Sequence, residues 1–278
     1  MLSIILSIEK MNLTKDQIRR YSRQIVLKEV GGIGQKKLMD SKVTLIGLGA
    51  LGSPVAYYLA AAGIGKLQII DFDTVELSNL HRQILHFTKD INRLKTESAI
   101  EKLNDINPDC EVLIFNKKIN ASNSKQILKD SDFVIEGSDN LPTKMLINDT
   151  CINLDIPFTI AGVLRFHGQL MTVIPKDKTS CYRCVFGDIT HGDDGMSCSQ
   201  AGVIGFVPGI LGCIEANEAI KYILNIGELI TNKILYVDLL SNSFNYINVY
   251  RDENCIACGD NSKDLVEIID YGLDNICH

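Results

Sequence analysis

Apolar residues follow two rhythms along the chain, and together they predict alternating strands and helices. Short apolar runs at Val43–Ile46, Leu67–Asp71, Glu111–Phe115 and Phe133–Gly137 read as strands. Between them the apolar positions recur at helical spacing: an alanine-rich segment from Ser53 to Ala62 stopped by Gly63 and Gly65, a helix from Lys95 to Asn104, and one from Ser122 to Leu128. Ahead of the first strand, Ile18, Tyr21, Ile25 and Leu38 keep a helical spacing that Gly31, Gly32 and Gly34 interrupt. An N-terminal helix and a glycine turn are therefore expected before the sheet begins. Strands alternating with helices imply an α/β fold with a Rossmann-like, doubly wound, mainly parallel sheet.

After Pro157 the pattern changes. FTIAGV, QLMTVIP, KILYVDL and NYINVY add strands with one strong helix among them, GILGCIEANEAIKYIL, so the sheet is expected to continue with antiparallel strands. No repeat, low-complexity tract or linker divides the chain. The reading is an N-terminal extension over 1–13, one domain over 14–260 and a C-terminal tail over 261–278.

The composition fits one sizeable core: of 278 residues, 46% are hydrophobic and 22% charged. A formal charge of −6 without a basic cluster argues against nucleic acid as a partner. The opening MLSIILSIEK is too short for a membrane span and has neither a basic n-region nor a cleavage site, so no membrane association or export is expected. Met11 is an alternative start. Nine cysteines without an export signal read as thiols or metal ligands, which points to a reducing cytoplasm.

GLGALG places Gly47, Gly49, Ala50 and Gly52 between a strand and a helix, where glycines allow a tight turn, close approach of a phosphate and close helix packing. Asp71 ends the next strand, 24 positions after Gly47, where a carboxylate can accept from ribose hydroxyls. Asp73 shares that role or caps the following turn. A dehydrogenase would stop there, but VELSNLHRQILHFTKDINRLK adds Asn79, Arg82, Gln83 and Lys95. A dinucleotide pyrophosphate carries about two charges and a triphosphate about four, so the added donors favour ATP. Taken singly, each would read as a solvated surface group. Asp139, at the end of the strand in FVIEGSDN, suits Mg²⁺ or caps the helix of LPTKMLINDTC.

CYRC at Cys181–Cys184 and CIAC at Cys255–Cys258 supply four thiolates, the ligand set of a closed structural Zn²⁺ site that would staple the C-terminal strands to the segment after MTVIP. Two redox pairs are the other reading. Cys198, in the glycine- and aspartate-rich FGDITHGDDGMSCSQAGVIGF, is either a reactive loop thiol or a small apolar filler. Cys110, Cys151 and Cys213 read as fillers, and Cys277 beside His278 as part of a frayed tail.

Assembled in order, RYSRQIVL, GIGQKKL, GLGALGS, DFDTVELSNLHRQ, INPDCEV, GSDN, GQLMTV, CYRC, the Cys198 loop and CIACG resemble the ThiF/MoeB/HesA family of E1-like adenylyltransferases over about residues 19–259. The resemblance implies that the chain binds ATP and Mg²⁺, adenylylates the C-terminal Gly-Gly carboxylate of a small ubiquitin-like sulfur carrier protein, and releases pyrophosphate. It puts Gly49 and its neighbours under the nucleotide, Asp71 and Asp73 near the ribose, Asn79, Arg82, Gln83 and Lys95 toward the phosphates, and Asp139 on magnesium. It also implies a homodimer in which Arg23 reaches the partner's ATP, a covalent carrier link at Cys198 in some relatives, and a separate sulfur donor. Relatives often carry arginine where this chain has Lys144, which puts a contact there in doubt. Related enzymes adenylylate a tRNA-modification carboxylate or a peptide end. An NAD-dependent oxidoreductase lacks a visible hydride site, and a non-catalytic zinc scaffold leaves Arg23, Arg82, Lys95 and Asp139 unexplained.

Overall fold

The computed structural model describes residues 13–187, 202–261 and 265–271. Its frame is an eight-stranded sheet. The strands are β1 (Lys42–Ile46), β2 (Lys66–Ile70), β3 (Glu111–Phe115), β4 (Phe133–Glu136), β5 (Phe158–Leu164), β6 (His167–Val173), β7 (Lys233–Asp238) and β8 (Ser243–Asn248). Their spatial order is β3-β2-β1-β4-β5-β6-β7-β8. Pairing is parallel from β3 through β5 and antiparallel from β5 through β8, as the change of pattern after Pro157 anticipates.

Among the described helices, α1 (Lys15–Arg20), α2 (Ser22–Ile25) and α3 (Gly31–Asp40) precede the sheet. Next come α4 (Gly52–Ala62), α5 (Lys95–Ile106), α6 (Ser124–Leu128), α7 (Leu141–Leu154), α8 (Tyr182–Phe186) and α9 (Phe206–Leu224). The expected glycine turn is instead the opening of α3. Gly31 takes a left-handed φ of +58° that turns the chain into the helix, and a β-carbon at Gly34 would sit 3.1 Å from Leu224 of α9. Gly31 thus serves the backbone turn and Gly34 the close packing.

Period-two alternation splits the core between the two faces of the sheet. Val43, Leu45, Leu67, Ile69, Phe133 and Ile135 pack with α4 and α9 on one side. Ile46, Ile70, Val134, Phe158 and Ile160 pack with α7 and the cysteine-bearing segment on the other. Residues of the C-terminal segment join the second layer: Val266, Ile268 and Tyr271 pack there, and the Asp270 carboxylate accepts from the Ala121 N–H at 2.8 Å. No described helix is long and apolar enough to cross a membrane.

Candidate active site

Strand order reverses beside β1: β2 and β3 lie on one side and β4 on the other. Ligands of open α/β sheets sit at the carboxyl ends of strands beside such a switch point. There the chain leaves β1 through GLGALG. Gly47 has φ +84°, and a β-carbon on it would meet the Gly137 carbonyl oxygen at 3.0 Å. A β-carbon on Gly52 would lie 2.1 Å from the Gly47 oxygen, so the start of α4 packs directly on the turn. Gly49 is different: a methyl group there would find only Gln83 Nε2 within 4 Å, at 3.7 Å, and the space above it is open.

That open space gathers donors. The helix α4 has no side-chain cap, and the backbone N–H groups of Gly49, Ala50 and Leu51 find no partner among the described residues. Uncapped N–H groups at a helix N-terminus favour an anion. Gln83 is 5% exposed, and its side-chain oxygen is buried without a partner. That oxygen is an acceptor and could take a hydrogen bond from a ligand hydroxyl or amine.

Asp71 is placed under the same loop. One carboxylate oxygen accepts the Leu48 N–H at 2.7 Å and the other the Asp73 N–H at 2.8 Å. Burial pushes its pKa up, while the Lys95 ammonium and these two N–H groups oppose that rise. Asp71 thus braces the glycine loop and retains free lone pairs on both oxygens. Asp73 pairs with Lys95 at 2.8 Å, with the lysine buried and the aspartate half exposed. Arg82 donates to the Ser78 carbonyl at 2.8 Å from a partly exposed position. Asn79 is buried, and its side-chain oxygen accepts the Glu76 N–H at 3.2 Å, which shapes the turn that carries Arg82 and Gln83.

The helix cap after β4 is Asn140, whose side chain accepts from the Thr143 N–H at 2.9 Å. Asp139 is not the cap. It is exposed, with no hydrogen-bond or ion-pair partner among the described residues, on the loop that touches Gly47 through Gly137. A free carboxylate at this edge fits a magnesium ion, whose ligand shell draws on one or two carboxylates and on phosphate oxygens. Lys144 points inward, binding Glu136 and donating to the carbonyl oxygens of Ser138 at 2.8 Å and Ala161 at 2.7 Å. It holds the loop from behind. Arg23, on α2, is exposed and has no hydrogen-bond or ion-pair partner among the described residues.

The four cysteines of the two C-x-x-C pairs converge. Their sulfurs lie within 4.8 Å of one another, with Cys181 Sγ 3.8 Å from Cys184 Sγ and 3.7 Å from Cys255 Sγ, and Cys184 Sγ 3.4 Å from Cys258 Sγ. Sulfurs at ~2.3 Å from one tetrahedral zinc stand about 3.8 Å apart, so the set lies close to that spacing and small side-chain adjustments would close it round the ion. The Asp252 N–H points at Cys184 Sγ at 3.4 Å, the kind of outer contact that steadies a thiolate ligand. Within α8, Arg183 grips Asp149 of α7 through two bonds of 2.8 Å, and Tyr271 closes on the same carboxylate. The spacing of the motifs gave no hint of that clamp. Cys110 and Cys151 are buried filler, with the Cys110 thiol pushed up to about 11 by burial, and Cys213 is partly buried. Cys198, Cys277 and His278 lie outside the described residues.

A separate groove of about 800 Å³ opens at the opposite edge of the sheet, lined by Ser41, Asp132 and Pro157 among others. The uncapped N–H groups gather at the glycine loop instead.

The family model described as the ThiF family matches residues 21–257. The SAMP-activating enzyme E1 of Haloferax volcanii is 38% identical over 94% of this chain and 96% of its own length. The sulfur carrier protein adenylyltransferase of Thermus thermophilus is 36% identical over 94% of this chain and 97% of its own. The adenylyltransferase and sulfurtransferase MOCS3 of Drosophila yakuba is 40% identical over 94% of this chain, which spans 57% of that longer protein. The crystal structure of E. coli MccB superposes with a TM-score of 0.77 at 25% identity, covering 92% of this chain and 76% of that one. With a family match across nearly the whole domain and full-length relatives of this similarity, the chain belongs to the ThiF family and is an E1-like adenylyltransferase.

Proposed function

We propose that this chain uses ATP to adenylylate the C-terminal Gly-Gly carboxylate of a small ubiquitin-like sulfur carrier protein, and so feeds sulfur transfer of the thiamine or molybdopterin type. The observation that carries this reading is the row of unpartnered N–H groups at Gly49, Ala50 and Leu51, beside the orphaned oxygen of Gln83 and near Asp139. The names of the full-length relatives supply the carrier. The carrier carboxylate attacks the α-phosphorus, the acyl–phosphate bond forms, and pyrophosphate leaves. Negative charge builds on the departing oxygens, so catalysis rests on fixed positive charge and N–H dipoles. Arg82, and Lys95 with two N–H donors beyond the one given to Asp73, supply that charge within the subunit. Magnesium, held through Asp139, would screen the phosphate oxygens. Zinc on Cys181, Cys184, Cys255 and Cys258 is structural, since four thiolates leave no open position.

Activation of a tRNA-modification carboxylate is disfavoured by the charge of −6. The sulfur comes from a separate donor protein, and the lack of a disulfide at the seven described cysteines suits the cytoplasm. The test is exchange of labelled pyrophosphate into ATP. Exchange that requires a carrier ending in Gly-Gly supports the reading, and exchange that ignores the carrier refutes it. Adenylylation needs no thiol, so Cys198→Ala is expected to retain this exchange.

Arg23 acts on the partner's ATP in a homodimer. Val26 and Leu27, just after it, are 74% and 51% exposed, an apolar surface suited to a second copy. Arg23→Ala and Asp139→Ala are each expected to be inactive alone. Mixed, they form dimers with one intact site, and part of the activity returns. If subunits exchange and nothing returns, Arg23 does not act in trans.

A further inference from the structure

Leu48, between the first two glycines of the loop, has both of its backbone groups held by side chains. Its N–H goes to Asp71 at 2.7 Å, and its carbonyl oxygen lies 3.2 Å from Nε2 of His86. A carbonyl can only accept, so Nε2 carries the proton. The other nitrogen of His86, Nδ1, is 2.9 Å from Ser98 Oγ. Ser98 Oγ accepts in turn from the Lys102 ammonium at 2.8 Å, which leaves its own hydrogen for Nδ1. Lys102 is anchored on the fully buried Asp90 at 2.5 Å. The hydrogens all run one way, from Lys102 through Ser98 and His86 to the Leu48 carbonyl. Burial pushes the His86 pKa down to about 4, so the ring is neutral at pH 7 and Nδ1 is free to accept.

The Leu48–Gly49 peptide is trans, as every peptide bond of the described chain is. In a trans peptide the carbonyl and the following N–H point in opposite directions. With the Leu48 oxygen turned inward onto His86, the Gly49 N–H is turned outward into the open space, where it has no partner. We infer that His86 is a positioning residue: through a tautomer fixed by Ser98 and Lys102, it locks the Leu48–Gly49 peptide so that the Gly49 N–H faces the nucleotide phosphates. This deepens the nucleotide reading above and rests on it for the identity of the ligand. Prior orientation of the donor matters because a peptide free to flip would present its carbonyl oxygen, and hence negative charge, to the phosphates.

The inference is tested on the full-length zinc protein in two measurements. In ¹⁵N-detected NMR of the wild type at pH 7, His86 should show the neutral tautomer protonated at Nε2. Protonation at Nδ1 would overturn the proposal without any ligand. In calorimetry with the α,β-methylene analogue of ATP, His86→Phe keeps the ring but loses the donor. It should raise Kd roughly tenfold, the value of one hydrogen bond to a charged group. His86→Gln, which carries a donor at a similar reach, should recover most of that loss, and adenosine, without phosphates, should bind all three proteins alike. Ser98→Ala, which frees the tautomer without touching the ring, should show a smaller loss in the same direction and serves if His86→Phe does not fold. Equal ATP-analogue affinity in folded His86→Phe, or equal weakening for adenosine, overturns the role assigned to His86. If the wild type binds no ATP analogue, the nucleotide reading fails instead, and the NMR result still decides the orientation of the peptide.

Discussion

Alanine at Asp139 is expected to lower carrier-dependent pyrophosphate exchange by on the order of 10²- to 10³-fold, and alanine at Arg82 by a similar factor, each with the fold and zinc content unchanged. Neither side chain fills core: Asp139 is exposed without a partner among the described residues, and the Arg82 guanidinium makes its backbone bond to Ser78 within its own turn. Removing either leaves the packing untouched while charge that develops on the phosphates loses its counter-charge. Steady-state exchange kinetics and circular dichroism on the same preparations separate the two effects. Near wild-type exchange in both variants would remove these residues from the chemistry.

The second large effect concerns the cysteines. Serine at Cys181 or Cys255 should release zinc and lower the unfolding temperature by on the order of 10 °C, because binding energy at such a site is folding energy. The cluster joins the segment after β6 to the segment after β8, two stretches that no sheet pairing connects directly. Without the ion, four sulfurs remain crowded in a part of the core shared with Met171, Val173 and Tyr182. Metal analysis and calorimetry check this. A folded, equally stable protein that holds no zinc and has all four thiols free would refute the site.

Much of this was legible in the chain. GLGALG between an apolar run and an alanine-rich helix could hardly fold otherwise, since Gly47 and Gly52 leave no room for a β-carbon. The paired C-x-x-C motifs announce four ligands for the same reason of chemistry. What stayed hidden depended on partners distant in sequence. His86 sits in the apolar stretch ILHF with no motif to single it out, and only the fold brings it to Leu48, 38 residues away. Arg183 meets Asp149 and Tyr271 across three separate segments, and Lys144 turns to Glu136 and Ala161 away from solvent. Local spacing carries no record of such contacts. The helix at Gly31–Asp40 was missed because glycine propensity argues against it, whereas packing of Gly34 on Leu224 decides it. Asn140 and Asp139 are equally good caps by type, and only geometry separated them.

The central claim is that this chain transfers AMP from ATP to the carboxylate at the end of a carrier protein. Intact mass analysis of a purified ubiquitin-like carrier ending in Gly-Gly, incubated with the enzyme, ATP and magnesium and quenched in acid, reads that product directly. The carrier should be heavier by one AMP moiety, a product absent with Asp139→Ala and absent when the carrier's terminal glycine is deleted. An unmodified carrier in the presence of active, ATP-binding, zinc-loaded enzyme, across the Gly-Gly carriers of the same cell, would contradict it.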